Sequence, residues 1–458
     1  MSSVKEMTEG PCLPQLVRFT VPLLLGCLLQ QVYSLADAAI VGRYLGINAL
    51  ASVGASSSVI FLILGFCNGC CGGFGIPVAQ KFGARDYSTM RRYVVASLRL
   101  AGVMSVVIAM AASLLCANIL RWMSTPSLIF HGAYLYLLIT FIGIPCTFYY
   151  NLLSSIIRAL GDSRTPFWFL LFSTALNVVL DLVCILVCHW GVAGAAIATL
   201  VSQGVSAVLC YVYMRRRFDI LRTTAGERRL DPRLAGQLLL IGAPMGLQFS
   251  ITAIGSMMLQ SANNGLGTTC VAAFTAAMRL KMFFICAFEA LGVAMATFVG
   301  QNYGACRPQR IWQGVKAAGL LMMVYCVFSF CLMWPGARTF TQLFVDAAEA
   351  EVIDKAVQFM HVAVVFFPVL GLLSILRYSI QGAGYTQFAM LSGVSEMIAR
   401  ILVSVFIVPV YGFTAVCFGD PTAWIFAVAF LCPAFAYVYR RVKQIALKAV
   451  PRGRDEKA

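Results

Sequence analysis

Long apolar runs alternate with short polar breaks along the whole chain. About 20 helical residues cross the hydrocarbon core of a bilayer, so each run is long enough to span it. We therefore predict twelve transmembrane helices, near residues 16–44, 50–80, 93–118, 128–157, 166–189, 192–216, 235–263, 269–300, 311–335, 356–380, 387–409 and 413–439.

Composition agrees with this pattern and excludes a soluble domain. The chain of 458 residues is 60% hydrophobic and only 11% charged, whereas soluble domains carry about 25% charged residues. Its net charge of +16 does not indicate nucleic-acid binding, because the basic residues cluster in short connections between alternate helices, as in cytoplasmic loops. We expect a multi-pass protein of the cell (inner) membrane with both termini in the cytoplasm.

A sequence repeat divides the chain into two halves. VAQKFGAR ends the second predicted helix and VGQNYGACR ends the eighth, so that Gln80 pairs with Gln301 and Gly83 with Gly304, 221 positions apart. Six helices separate the copies, which makes the halves parallel, with a pseudo-two-fold axis along the membrane normal. The predicted fold is an all-α membrane protein of two parallel six-helix bundles. An N-terminal lobe (1–212) and a C-terminal lobe with a basic cytoplasmic tail (235–458) flank a basic cytoplasmic linker (213–234).

Asp37 places a carboxylate deep in the first predicted helix, where an acid is costly and usually faces a bundle interior or an aqueous cavity. Counted along the helices, Asp37, Asp181 and Thr199 lie roughly 10–12 Å below the outer surface. Asn177 lies one turn deeper, on the same helix face as Asp181. Carboxylate, amide and hydroxyl oxygens suit a hard cation, and two close carboxylates suit proton binding. We predict a site for Na⁺ or H⁺, with that choice left open, and no bound cofactor or metal centre.

The C-terminal half does not repeat this site. The shift of 221 positions maps the three residues at one depth onto Met258, Leu402 and Asp420. Glu396 and Arg400 stand four residues apart and are predicted to form an ion pair along one helix face.

Two further residues are singled out by their positions. Glu289 has no opposite charge one turn away, and we hypothesise that it lines a central substrate cleft and attracts cationic compounds. Pro22 interrupts the first helix, as Pro244 does in the seventh, and helix breakers at matching positions of two repeats are predicted to bend during transport.

Three stretches resemble the multidrug and toxic compound extrusion (MATE) family. They are Pro22 to Gly46, ending in DAAIVGRYLG, then ALGVAMATFVGQNYGA from Ala290, and SEMIARILVS from Ser395. With twelve helices in two halves, the resemblance covers essentially the whole chain. It implies a secondary active antiporter that exports organic, often cationic, drugs or toxins in exchange for H⁺ or Na⁺. The expected mechanism is rocking-bundle alternating access, and the expected result of export is antibiotic resistance.

The resemblance also suggests a branch. In DinF-like members, an acid in the first helix works with Asn-x-x-x-Asp in the fifth and Thr in the sixth, and Asp37, Asn177, Asp181 and Thr199 match that pattern. NorM-like members use acids in the seventh and tenth helices, which this chain lacks within the predicted spans.

Two other functional classes would make different demands on the sequence. A flippase of the same superfamily, moving a lipid-linked precursor or polysaccharide unit, would need a cationic cleft, which Arg279, Lys281, Arg377 and Arg400 could supply. An enzyme would need clustered catalytic groups, but the three histidines lie in different helices or loops. We therefore expect a non-enzymatic, monomeric transporter whose partners are a small organic molecule, the coupling ion and the bilayer.

Overall fold

The computed structural model describes residues 6–123, 125–224, 226–228 and 231–449, which are almost entirely helical. Eleven of the described helices are long and apolar enough to cross a membrane, and one bent pair, α4a and α4b, makes a twelfth span. The prediction of twelve spans is thus confirmed. The helices are α1 (Cys12–Leu45), α2 (Ile47–Gly83), α3 (Tyr87–Trp122), α4a (Ser127–Ile142), α4b (Ile144–Ala159), α5 (Arg164–Val187), α6 (Gly191–Arg217), α7 (Pro232–Asn264), α8 (Thr268–Gly304), α9 (Pro308–Thr341), α10 (Ala350–Gly382), α11 (Thr386–Tyr411) and α12 (Phe413–Ala449).

The fourth span differs from the straight run predicted at 128–157. Its two parts meet at Gly143 with a bend of 47°. Pro145 is the second residue of the second part, and proline lacks the N–H that would continue the hydrogen-bond ladder of the first part. The bend therefore has a local cause in the Gly-Ile-Pro sequence. Pro22, by contrast, lies within an uninterrupted α1, and its bending role stays a prediction.

The chain forms two compact units. Unit 1 contains Val21–Val78 and Tyr87–Ala253, and unit 2 contains Glu6–Thr20, Ala79–Asp86 and the chain from Ile254 onward. The start of α1 and the end of α2 thus belong to unit 2, whereas most of α7 belongs to unit 1. The predicted lobes, with boundaries at 212 and 235, stay a prediction, and residues 450–458 of the predicted tail lie outside the described residues.

Each unit is organised around one helix. In unit 1, α6 packs against α5 and both parts of α4, and its buried Gly194, Ala195 and Ala198 allow the close approach typical of helix contacts in membranes. In unit 2, α10 packs against α8, α9 and α12, and α11 packs against α12.

The repeated sequence motif has a structural reason in unit 2. A Cβ on Gly83 would lie 1.9 Å from the carbonyl oxygen of Gln301, and a Cβ on Gly304 would lie 1.8 Å from that of Gln80. Only glycine lets the two backbones approach this closely. The motif therefore marks a helix crossing, in which each copy supplies one glycine and the backbone that the other glycine contacts.

Candidate cation-binding site

The four predicted residues of the acid site lie in unit 1, with Asp37 on α1, Asn177 and Asp181 on α5, and Thr199 on α6. The Asn177 amide bridges its neighbours. With the amide oriented so that both of its ends are satisfied, its nitrogen donates to Asp181 Oδ2 at 2.9 Å, and its oxygen accepts from the Thr199 N–H at 3.1 Å. Asp37 is close enough for its charge to act on Asp181. The structure thus brings together the residues that depth counting had placed at one level.

Burial leaves the two acids of this site incompletely satisfied. Asp181 is 0% exposed and Asn177 is 2% exposed, whereas Asp37 and Thr199 are half-buried. Oδ1 of Asp37 and Oδ1 of Asp181 are both buried, and neither has a hydrogen-bond partner within the described part of the chain. Buried carboxylate oxygens without partners are costly. These atoms are therefore suitable positions for a bound proton or a small hard cation.

Tyr33 belongs to the same site, although the sequence interpretation did not include it. Its hydroxyl lies 3.2 Å from Thr199 Oγ1. Thr199 Oγ1 is also within hydrogen-bond distance of the Ala195 carbonyl oxygen, at 3.1 Å, and of the Asn177 amide oxygen, at 3.2 Å, so this hydroxyl links Tyr33 to the rest of the site. The available signal was spacing, since Tyr33 precedes Asp37 by one helical turn and shares its face.

An apolar cluster adjoins the acid site. Val41, Ala49, Ile185 and Ala195 form a buried core, with Tyr136 of α4a packed against it. Three of these residues lie one helical turn from an acid-site residue, on the side of the C-terminal end of α1. They cover that side of the site with aliphatic side chains. Tyr136, which is close enough for the charges of both acids to act on it, carried no sequence signal because only tertiary packing brings α4a here.

The helix that carries Asp181 changes its geometry directly after this residue. Val183–Val187 form a π-helical turn at the end of α5, and α11 has a similar turn at Val403–Ile407. Such turns shift the register of the helix, and they occur frequently at functional sites. In α5 the turn separates Asp181 from the helix terminus.

Unit 2 contains a different arrangement, here called the charge network, of Lys281, Arg377, Glu396, Arg400 and Asp420. Arg400 Nε donates to Asp420 at 2.9 Å and its Nη1 to Glu396 at 3.4 Å, which confirms the predicted pair of Glu396 with Arg400. Lys281 also binds Asp420, and Arg377 also binds Glu396. All five residues are at most 7% exposed. Only one of these pairs has a local sequence spacing; the rest join different helices.

The predicted substrate-cleft residue, Glu289, lies on α8 in unit 2. It is exposed although its neighbours Phe288 and Ala290 are buried. No hydrogen bond or ion pair joins Glu289 to another residue in the described ranges. As to metal sites, the described residues contain no group of three or more His, Cys, Asp or Glu side chains that could hold a metal ion.

Known proteins resemble this chain over nearly its full length. A family model described as MatE matches residues 22–183 and again residues 244–406. The chain belongs to the MATE family. It is 29% identical over 448 residues to a probable multidrug resistance protein, YpnP, of Bacillus subtilis (strain 168), which covers 97% of this chain and 98% of that protein. It is 31% identical over 326 residues to YoeA of the same strain, also described as a probable multidrug resistance protein, covering 68% and 70%.

The fold matches solved MATE structures. A crystal structure described as MATE in complex with MaL6 aligns with a TM-score of 0.88 and 21% identity, covering 97% of this chain and 99% of the other. At that identity the likeness shows the fold. The predicted family and the twelve-helix fold are confirmed. The chain is a multi-pass membrane transporter of a multidrug-efflux family, acting on small molecules, and not an enzyme.

Proposed function

We propose that this MATE protein is a secondary active antiporter that exports organic, often cationic, drugs or toxins in exchange for H⁺ or Na⁺. The coupling ion binds at the acid site, in the manner of the DinF-like branch. One observation carries the proposal. Asp37 and Asp181 each have a buried carboxylate oxygen without a hydrogen-bond partner in the described chain, next to the amide of Asn177 and the hydroxyl of Thr199.

A bound cation or proton at this site would neutralise the mutual repulsion of the Asp37 and Asp181 carboxylates. When the site is empty, Asp37 and Asp181 act electrostatically on each other in a poorly solvated environment, which favours binding of a positive charge. A proton would bind one open oxygen, whereas Na⁺ would take oxygens from both acids together with Asn177 and Thr199. The apolar cluster limits ion access from its side of the site. Ion binding and drug binding then favour different conformations of an alternating-access cycle.

The driving force is the ion gradient together with the membrane potential, which contributes about 2.3 kcal/mol per elementary charge per 100 mV. The decisive experiment is drug transport in proteoliposomes under an imposed pH gradient and, separately, an imposed Na⁺ gradient. The wild-type protein should respond to one gradient or both. No response to either would overturn ion-coupled antiport.

The same assay tests the residues. Asp37→Asn and Asp181→Asn should abolish gradient-driven transport, because each substitution removes a negative charge that binds the ion. Both variant proteins should still reach the membrane in normal amounts. Glu349→Gln is a matched control, since Glu349 is an exposed acid at the start of α10. Normal transport by both aspartate variants would refute the acid site as the coupling site.

We further propose that Glu289 attracts the cationic part of substrates, as its exposure and its lack of an ionic partner among the described residues support. Glu289→Gln should weaken transport of cationic compounds more than that of neutral ones of similar size. Equal effects on both classes would argue against an electrostatic role for Glu289.

The flippase alternative receives less support. It relied on four basic side chains in a cleft, yet Lys281, Arg377 and Arg400 are buried in ion pairs with acids. Only Arg279 of that set is exposed. A cationic cleft suited to a pyrophosphate would need more free positive charge than this residue supplies.

A further inference from the structure

A cavity of about 620 Å³ lies in unit 1, where α3, the end of α6 and the following linker meet. One side is apolar, formed by residues that include Val95, Leu98, Met214 and Phe218. Arg215 and Arg222 also line it. The cavity therefore combines a hydrocarbon-like wall with guanidinium groups.

The two arginines give this cavity an excess of positive charge. Arg215 is exposed, and its Nη1 lies 3.5 Å from the Tyr211 hydroxyl, a neutral partner. Arg222 pairs with Asp219 at 2.8 Å, and both of these side chains are 75% exposed, so the pair is weak and well hydrated. The charge of Arg215 is therefore not neutralised by its tyrosine partner, and Arg222 has further N–H groups that can donate hydrogen bonds to a bound anion.

The linker that closes the cavity is held in place. Glu227 is only 5% exposed and accepts bonds from Arg91 Nε at 2.8 Å and Arg91 Nη2 at 2.7 Å. Ser88 Oγ donates to Glu227 at 2.8 Å and the Thr224 N–H at 3.0 Å. A linker of solvated basic composition is thus anchored by one buried acid. This anchoring holds the segment with Leu221 and Arg222 against α3 and α6.

Unit 2 has a cavity at the repeat-equivalent place, of about 480 Å³. The shift of 221 positions converts Met214 to Phe435, Phe218 to Tyr439 and Arg215 to Ala436. Trp312 packs on that aromatic surface, 5.7 Å from the Tyr439 ring. This second cavity therefore has alanine at the position of Arg215, and Arg440 is the one charged residue among its described lining residues.

We propose that the unit 1 cavity binds an anionic phospholipid, with its phosphate at Arg215 and Arg222 and an acyl chain along the apolar wall. The location favours a lipid, because Arg215, Arg216 and Arg217 end the apolar stretch of α6, where basic residues meet lipid head groups. The charge disfavours the cationic drugs expected as transport substrates. The proposal concerns a separate site and does not depend on ion coupling.

The test is native mass spectrometry of the purified protein with phosphatidylglycerol or phosphatidylcholine. The wild-type protein should retain one phosphatidylglycerol that phosphatidylcholine does not replace. Arg215→Gln with Arg222→Gln should weaken its retention roughly thirtyfold, as the loss of two interfacial arginines predicts. Arg215→Lys with Arg222→Lys should keep it, since the charges remain. Raised salt should weaken retention, since these charges are screened.

Arg440→Gln is the matched control in the repeat-equivalent cavity and should leave this lipid bound. Equal retention of the two lipids by the wild-type protein would overturn the proposal. So would unchanged retention in the double glutamine variant, or an equal loss in Arg440→Gln. Folding of each variant is checked by size-exclusion chromatography, and the lysine variant distinguishes lost charge from a disturbed cavity.

Discussion

Unit 1 keeps two membrane-embedded carboxylates, Asp37 and Asp181, that have no cationic side chain bound to them in the described chain, whereas unit 2 pairs Glu396 and Asp420 with cations on other helices. Asp420 occupies the repeat position of Thr199. Met258 and Leu402, at the repeat positions of the two acids, are 39% and 42% exposed and apolar.

This contrast indicates that the two copies of the duplicated bundle have different roles. In the charge network the positive charges are covalently part of the chain, so no ion from solution is needed to neutralise Asp420. In the acid site the positive charge is missing and must be supplied from outside. We therefore expect ion exchange at the acid site, and we expect the charge network to hold α8, α10, α11 and α12 together.

The largest effect is expected from Arg400→Met, which would test the structural role of the charge network. Arg400 lies between Glu396 and Asp420, so its loss leaves buried carboxylates incompletely paired. Breaking a buried pair in this way costs about 3–5 kcal/mol. Thermal unfolding in detergent should show a strongly lowered Tm, with the exposed Arg279→Met as control. A Tm equal to that of the wild type would contradict a structural role for the charge network.

A smaller effect is expected when both partners of one pair are removed. Lys281→Met combined with Asp420→Asn should destabilise less than the sum of the two single changes, with a coupling of about 0.5–3 kcal/mol. Gradient-driven transport should persist in the double variant. If a folded double variant lost gradient-driven transport, ion exchange would instead have to involve both units.

Tyr33→Phe tests the periphery of the acid site. It removes the hydroxyl that is hydrogen-bonded to Thr199 and should cost about 0.5–1.5 kcal/mol, or roughly a two- to tenfold weaker apparent ion affinity in transport assays. Tyr149→Phe is the control, because that hydroxyl donates to the Leu98 carbonyl oxygen at 3.0 Å, outside the acid site. Equal shifts in both variants would show that the Tyr33 effect is not specific.

The smallest effect concerns the ion pair between Arg91 and Glu227, of which Glu227 lies in the linker outside the membrane spans. Hydrogen bonds from Arg91 and the Thr224 N–H hold the pKa of Glu227 below its ordinary range. Because the folded-state pKa is lowered, this pair stabilises the protein above the ordinary carboxyl pKa of about 4.3, and its contribution falls as the pH drops below that value. Tm measured against pH should decline less steeply at low pH in Glu227→Gln than in the wild type. Parallel profiles would contradict this assignment.

Several features could be predicted without coordinates because their causes are local or periodic. Apolar run length predicted the helices, and a nearly constant shift of 221 to 223 positions between matching residues predicted the repeat. Depth counting grouped Asp181, Asn177 and Thr199 correctly, since helices of known rise that start at a common surface carry residues to calculable depths. The break at Gly143 was missed, although Pro145 was present in the sequence, because membrane helices often continue through proline.

By itself, the sequence determined the helix-forming segments, the duplication and the resemblance to the MATE family, and it predicted a common depth for the acids. Only the tertiary structure decided which side chains meet across helices. Lys281 and Asp420 are hydrogen-bonded although they are 139 positions apart, and Tyr136 of α4a packs against the apolar cluster beside the acids. Helix periodicity specifies a residue's height and face, but the rotation of each helix against its neighbours is set by packing of the whole bundle. The partner of a buried charge therefore cannot be read from spacing along the chain.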